Sequence, residues 1–189
     1  MNTKIKSAEH LEDFEVNKLL KYLSHNKLWK YYILVRLGIS TALRYSDLTK
    51  LTWKDVLGRN LITIKETKTG RVREIPLNEE LVQILTKIHA KLDYPNNEEI
   101  IIPTSIRGVN KQIKILAVRS GLRGKRISTH TFRKTFGREV WKRNNYSEAS
   151  LVKLSELFKH SSTSITRIYL SITKEEVNDL YNIQDLFSY

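Results

Sequence analysis

Apolar residues recur at helical spacing along most of this chain. Segment 27–42 is apolar on nearly all sides, which is typical of a buried central helix. Segment 7–24 has its apolar residues on one approximate stripe, which indicates an amphipathic helix: Leu11, Phe14, Val16, Leu19, Leu20 and Leu23. The same pattern, bounded by capping residues, predicts further helices at 46–51 (capped by Ser46), 78–92 (capped by Asn78), 108–120, 130–143, 147–158, 162–170 and 175–186.

One region instead carries clusters of strand-forming residues. Segments 61–65 and 72–76 are rich in β-formers, and Thr-Lys-Thr-Gly at 67–70 between them predicts a turn. We therefore expect an antiparallel hairpin with Lys68 at its tip. The fold class predicted is mainly α with a small antiparallel β-sheet, in a single domain over 1–189, with a core at about 8–173 and a tail at 174–189.

Composition narrows the chemistry and the compartment. The 189 residues include no cysteine, which excludes thiol nucleophiles, thiolate metal sites and disulfides. The N-terminal residues lack the apolar core of a signal peptide. The most apolar stretch, 31–39, contains Arg36 and is too short to span a bilayer. These features favour a soluble cytoplasmic protein with no membrane partner.

Charge points to a polyanionic partner. The formal net charge is +13, from 33 basic and 20 acidic residues. Segment 119–143 alone carries nine basic residues and one acid, Glu139. A cluster of this kind attracts phosphates and makes binding salt-dependent, although a merely well-solvated surface would give a similar total.

Cleaving a phosphodiester without a metal requires cations on the phosphate oxygens, a nucleophile, a proton donor and a group that manages the nucleophile's proton. Arg44 and Arg133 offer planar guanidiniums that can bind phosphate in a bidentate manner. His130 lies one helical turn before Arg133, and imidazole exchanges protons near neutral pH. No cluster of carboxylates, and no Cys/His spacing, indicates a metal site.

Three further residues could complete such a site. Lys68 could protonate the leaving oxygen, His160 could hydrogen-bond the phosphate, and Tyr169 follows His160 by nine positions as a candidate nucleophile. Each residue also has a structural interpretation. Arg44 could cap the preceding helix, and Arg133 with His130 could form a solvated basic face. Lys68 could be an ordinary turn residue, His160 a helix cap and Tyr169 a core aromatic.

Taken together, these residues resemble the conserved boxes of the tyrosine recombinase (phage integrase) family. The matching segments are ALRYSDL around Arg44, TKTG around Lys68, HTFRKTF with His130 and Arg133, and LFKHSS and ITRIYL with His160 and Tyr169. The resemblance runs from about Phe14 to Thr173. It implies a recombinase or integrase of a mobile element that cuts and rejoins DNA through a 3′-phosphotyrosyl intermediate, without metal, ATP or another cofactor.

The resemblance also implies supporting roles and partners. Asp47 matches an acidic position that orients the site. We further expect contacts to double-stranded DNA from Arg126, Lys134, Lys159 and Arg167. A tetramer on DNA is expected, with exchange of the C-terminal helix between subunits, and a monomer is possible in isolation. That helix has an apolar stripe, made of Val177, Leu180, Tyr181, Ile183, Leu186 and Phe187.

Two departures from the family pattern affect this interpretation. Lys159 stands where the family usually has glycine, so it could crowd a tight turn or add a phosphate contact. The family's N-terminal core-binding domain is expected to be absent, which suggests an excised catalytic fragment or a short stand-alone recombinase resembling inversion enzymes. Two alternatives stay open, a type IB topoisomerase and a DNA-binding module whose site is inactive.

Overall fold

A computed structural model describes residues 7–173 and Glu176, and their architecture is mainly helical with one antiparallel hairpin, as predicted. The chain divides into two compact units, with the boundary between Phe136 and Gly137. The elements described are α1 (Asp13–His25), α2 (Trp29–Thr41), α3 (Tyr45–Leu48), α4 (Trp53–Val56), β1 (Leu61–Lys65), β2 (Val72–Pro76), α5 (Glu79–Lys91), α6 (Ile106–Arg119), α7 (Thr129–Arg143), α8 (Glu148–Phe158) and α9 (Thr163–Leu170).

Helix α2 lies at the centre of the first unit. Its residues Ile33, Leu34 and Leu37 are each 0% exposed, in agreement with its nearly continuous apolar sequence. A Cβ atom on Gly38 would lie only 2.7 Å from Cβ of Phe132, so glycine allows α2 and α7 to pack closely in this unit. No helix in the described part of the chain combines the length and apolar character needed to cross a membrane.

The predicted hairpin is confirmed, including its turn at 67–70. Strands β1 and β2 pair from Leu61 opposite Pro76 to Lys65 opposite Val72. Because side chains alternate between the two faces of a strand, the β1 residues Ile62 and Ile64 point into the core, and both are buried. The same alternation also places Glu66, directly after β1, in a buried position.

Two local predictions about the first unit were wrong, and one short helix was not predicted. Helix α1 begins at Asp13 rather than near residue 7, because Glu12 and Glu15 form a capping box that starts it there. Ser46 does not cap α3, since that helix begins immediately after Arg44. The short helix α4 was not predicted, and it begins at a capping box formed by Thr52 and Asp55.

The second unit contains the end of α7 together with α8 and α9, whose predicted positions are confirmed. Ser147 and Ser162 cap α8 and α9 by accepting hydrogen bonds from backbone N–H groups within the first turn of each helix. A Cβ atom on Gly137 would lie 2.6 Å from Leu170 and 2.9 Å from Phe158. Glycine at this position therefore lets both side chains pack directly against the α7 backbone.

The predicted helix at 175–186 lies outside the described residues, apart from Glu176. The Glu176 N–H donates to Oγ1 of Thr173 at 3.2 Å, and its carboxylate accepts from the Thr173 N–H at 2.8 Å. Arg138 of α7 forms an ion pair with the same carboxylate. These contacts anchor the chain just beyond α9, while the C-terminal helix itself stays a prediction.

Candidate active site

The two arginines predicted to bind phosphate meet the chain near the C-terminal end of α2: Arg44 follows that helix, and the guanidinium of Arg133 reaches it from α7. Arg44 directly precedes α3, with its side chain 18% exposed. Arg133, which is 5% exposed, donates from α7 to the carbonyl oxygen of Ala42. Arg73 of β2 donates to the neighbouring carbonyl of Thr41 at 3.3 Å. Guanidiniums are favourable at a helix C-terminus. The Arg133 guanidinium contacts the chain at Ala42, which precedes Arg44 by two residues.

His130 belongs to the same cluster of positive charge. It lies one turn before Arg133 on α7, and its side chain keeps access to solvent. Loss of surrounding water lowers the pKa of His130, and the positive charges of Arg133, Lys134 and Arg44 lower it further. The imidazole is therefore neutral at neutral pH, the form that can accept a proton.

We expect His130 to titrate below its ordinary pKa of 6.5 in the free protein, because a positive charge there is unfavourable. NMR titration of the imidazole resonances checks this, with His130→Asn identifying the signal. The unfolded chain binds the proton more readily, so the contribution of His130 to stability is present above about pH 6.5 and is lost as pH falls through the lower folded-state pKa. A midpoint at or above 6.5 would contradict the positive cluster.

Asp47 holds the turn that carries Lys68. The Asp47 side chain is 0% exposed, and its Oδ1 accepts from both the N–H and the hydroxyl of Thr67, each at 2.7 Å. Lys68, the next residue, is exposed at the hairpin tip. The acidic position thus fixes the base of the turn and leaves the lysine side chain at the surface.

Tyr169 and His160 come together in the second unit. Their rings meet edge to face with centroids 5.1 Å apart, and Phe158 packs against both at 5.4 Å from His160 and 5.3 Å from Tyr169. The Tyr169 hydroxyl oxygen is shielded from solvent. Nδ1 of His160 lies 2.9 Å from Oγ1 of Thr166, which is fully buried, so α9 orients the imidazole.

Lys159 occupies a turn that normally requires glycine. Its φ of 59° and ψ of 45° lie in the left-handed region, at the C-terminal end of α8. The N–H of His160 donates to the Ser155 carbonyl at 2.9 Å, and the N–H of Lys159 donates to the Glu156 carbonyl at 3.1 Å. This is a Schellman motif, whose left-handed residue is most often glycine. The lysine side chain is exposed.

Replacing Lys159 by glycine should stabilise the protein, because glycine adopts this conformation without a Cβ penalty. We expect a gain of about 0.5–1 kcal/mol after the greater flexibility of glycine in the unfolded chain is subtracted. Thermal or urea unfolding measures it. Lys153→Gly, at an exposed position inside the same helix, is the matched control and should lose about 1 kcal/mol. Destabilisation by both variants would argue against a strained turn.

The four residues expected to contact DNA differ in their surroundings. Arg126 is exposed but pairs with Glu9 at 3.5 Å, and Arg167 pairs with Glu148. Lys134 is 3% exposed and donates to the Ser7 hydroxyl at 3.1 Å. Burial lowers the pKa of Lys134, as does the charge of Arg126, while Glu9 raises it. The Lys134 ammonium is thus already engaged with Ser7, and the contact of each of the four residues with DNA stays a prediction.

Three residues of the site were missed by sequence reasoning: Glu66, Arg73 and Thr166. Glu66 did leave a signal, because it continues the inward-facing alternation of Ile62 and Ile64 with a charged residue. A carboxylate at such a position is buried only when it has partners. The other two gave no local signal, since Arg73 and Thr166 are recognisable only by their contacts.

The residues predicted to act in phosphoryl transfer lie in two places. The first unit contains Arg44, Arg133, a histidine of lowered pKa and, on an anchored turn, Lys68. The second unit pairs a histidine with a tyrosine. Among the residues that the structure describes, no three His, Cys, Asp or Glu side chains are grouped to hold a metal ion.

Comparison with known proteins identifies the class. The model of the phage integrase family matches residues 9–176, and the chain belongs to this family. It is 31% identical over 173 residues to the probable integrase/recombinase YoeC of Bacillus subtilis (strain 168), covering 89% of this chain and 92% of that protein. The predicted enzyme class, a tyrosine-type site-specific recombinase, is confirmed by the family match and by relatives named as tyrosine recombinases.

Other relatives are longer than this chain. The tyrosine recombinase XerC of Leptospira interrogans is 30% identical over 133 residues, which cover 66% of this chain and 41% of that protein. A crystal structure of the XerH site-specific recombinase bound to its difH substrate has the same fold, with a TM-score of 0.65 and 21% identity. It covers 97% of this chain and 57% of that one. The chain therefore spans about half the length of these two proteins.

Proposed function

We propose that this chain catalyses site-specific cleavage and rejoining of double-stranded DNA through a phosphotyrosyl bond at Tyr169. The observation that carries the proposal is the cluster of Arg44, Arg133 and a His130 of lowered pKa, in a chain whose family match continues through Tyr169. This combination supports the recombinase over a DNA-binding module with an inactive site, since the expected catalytic groups are present and supported by neighbours.

Phosphate binding is assigned to the arginines. Arg44 and Arg133 stabilise the negative charge that develops on the two non-bridging oxygens, and His160 adds a hydrogen bond. Because Arg133 is buried and tied to the Ala42 carbonyl, its guanidinium is positioned before DNA arrives. A donor that needs no rearrangement contributes more to the transition state than one that must be ordered.

The covalent step exchanges one phosphodiester bond for another. The Tyr169 oxygen forms a bond to phosphorus while the bond from phosphorus to the 5′ oxygen breaks. The tyrosine proton passes to neutral His130, and Lys68 donates a proton to the departing oxygen. The products are a 3′-phosphotyrosyl link and a free 5′-hydroxyl, and a second 5′-hydroxyl reverses the step. The number of phosphodiester-type bonds is unchanged, so the step requires no ATP.

DNA is the partner that best fits the charge and the family. The net charge of +13 favours a polyanion, and XerH, which shares the fold, is described as bound to its difH substrate. We propose double-stranded DNA as the partner of the present chain as well, acted on in the cytoplasm. We also propose that four subunits assemble on DNA and exchange segment 174–189 between them. A single catalytic domain with its core at about 8–173 is part of the same proposal.

Covalent capture on a suicide substrate tests the reaction class. The substrate is a duplex taken from the junctions of the element that encodes the chain, with a nick near the expected cleavage site. Cleavage then releases a short strand that carries the 5′-hydroxyl, so the reverse reaction cannot occur and the covalent intermediate accumulates. We expect a protein–DNA band on a denaturing gel. DNA binding without any such band would support the inactive module, and relaxation of supercoils without strand exchange would support the topoisomerase.

A further inference from the structure

We propose that Glu66 is a positioning residue that holds Arg44 and the Lys68 turn as one unit. This inference rests on the proposed function, because it assigns Glu66 a role in orienting two groups of that reaction. The evidence is a buried carboxylate whose contacts reach both groups.

One set of contacts joins Glu66 to two arginines. The side chain is 3% exposed, with Oε2 lying 3.5 Å from Nη1 of Arg44 and Oε1 lying 3.5 Å from Nη1 of Arg73. Arg73 also donates to the Thr41 carbonyl at the end of α2. The carboxylate therefore lies between two guanidiniums and ties Arg44 to the hairpin.

A second set of contacts joins Glu66 to the turn. Its Oε2 accepts from the Thr69 hydroxyl at 2.8 Å. Its backbone carbonyl accepts from the Gly70 N–H at 2.9 Å, and its own N–H donates to the Arg71 carbonyl at 2.9 Å. Lys68 lies inside this loop. The position of the lysine therefore depends on the residue that also contacts Arg44.

The charge of Glu66 is maintained by these neighbours. Burial alone would raise the pKa of Glu66, but the Thr69 hydroxyl and the charges of Arg44 and Arg73 outweigh burial and lower it. The group is thus an anion at neutral pH. Without that negative charge, the guanidiniums of Arg44 and Arg73 would lie on either side of a neutral, buried group. Their mutual repulsion would then push them apart.

Glu66→Gln tests the role of the charge while keeping the side-chain shape. We expect the single-turnover rate of covalent capture to fall about ten- to a hundredfold, because small displacements of catalytic groups have effects of that size. DNA affinity should stay near that of the unmodified protein. Glu74→Gln is the matched control, since Glu74 makes the same charge change at an exposed position on β2.

A sulfur-substituted substrate separates the two links. When the bridging 5′ oxygen is replaced by sulfur, the leaving thiolate needs no proton donor, because thiols are far more acidic than alcohols. Glu66→Gln should lose less activity on the sulfur substrate than on the ordinary one, because Lys68 is no longer needed there. The loss that persists on the sulfur substrate measures the effect of Glu66 on Arg44. Equal losses on both substrates would overturn the link to Lys68, and complete restoration would overturn the link to Arg44.

Controls keep this test separate from the proposed function. If the unmodified protein gives no covalent band that depends on Tyr169, the proposed function fails and Glu66 is not in question. If the unmodified protein reacts and Glu66→Gln matches Glu74→Gln in rate, the positioning role is wrong.

Should Glu66→Gln unfold at the assay temperature, Thr69→Val removes the side-chain contact between Glu66 and the turn, together with the longer bond from the Arg71 N–H at 3.4 Å, and keeps the contacts of Glu66 with Arg44 and Arg73. Thr69→Val should slow covalent capture on the ordinary substrate but not on the sulfur substrate. A rate equal to that of the unmodified protein on the ordinary substrate would overturn the proposal.

Discussion

Tyr169→Phe should abolish the covalent protein–DNA complex while leaving DNA binding close to that of the unmodified protein. Phenylalanine keeps the ring that packs edge to face against His160 and Phe158 and removes only the attacking oxygen. The measurement is covalent capture on the nicked substrate, with a gel-shift assay run in parallel. We expect a complete loss of the covalent band, because a nucleophile has no substitute in the same position.

Tyr146→Phe is the matched control for this result. Tyr146 lies in the same unit, is 54% exposed and packs its ring against Trp141, so its hydroxyl has no proposed part in the reaction. Capture should persist in this variant. If capture also persists in Tyr169→Phe, another tyrosine is the nucleophile, and Tyr181 in the predicted C-terminal helix is the next candidate.

Arg133→Ala should slow covalent capture by at least about a hundredfold, because it removes one donor to the charge that develops on the phosphate. The side chain is 5% exposed and its guanidinium donates to the Ala42 carbonyl. Losing that bond leaves a buried acceptor unpaired, at a cost of about 1–3 kcal/mol in stability. The rate must therefore be measured well below the unfolding midpoint of the variant.

Two further variants separate charge, geometry and folding for Arg133. Arg143→Ala removes an exposed arginine from the same helix, 75% exposed and paired with Glu139, and should leave the rate unchanged. Arg133→Lys keeps the charge but not the planar fork, so its rate should stay well below that of the unmodified protein. A full rate in Arg133→Lys would mean that only charge matters, and a full rate in Arg133→Ala would remove the residue from the site.

Much of the proposed site was predictable because its residues are spaced along local elements. The interval of three between His130 and Arg133 defines one face of a helix, and the turn at 67–70 follows from its own residues. Helix boundaries were less predictable. Ser46 is a good capping residue in general, but α3 begins one residue earlier, after Arg44, so the serine lies inside the helix.

Lys134 shows the limit of reasoning from charge alone. It lies in the most basic segment of the chain, yet its side chain is buried against Ser7, more than a hundred residues away in sequence. Glu66 shows the opposite limit, since an acid in a basic protein is easily overlooked. Its importance comes from Arg44 and Arg73, which reach it from two other parts of the first unit.

The sequence by itself therefore determined the helical pattern, the hairpin, the family and the identity of the groups that can carry the chemistry. These depend on periodicity and on residue types at short spacing, which are local properties of the chain. Only the tertiary structure decided which charges are buried, which partners shift their pKa values and which carboxylates hold the arginines and the lysine turn. Those properties depend on contacts between residues far apart in sequence, because burial and charge pairing arise only when the chain has folded.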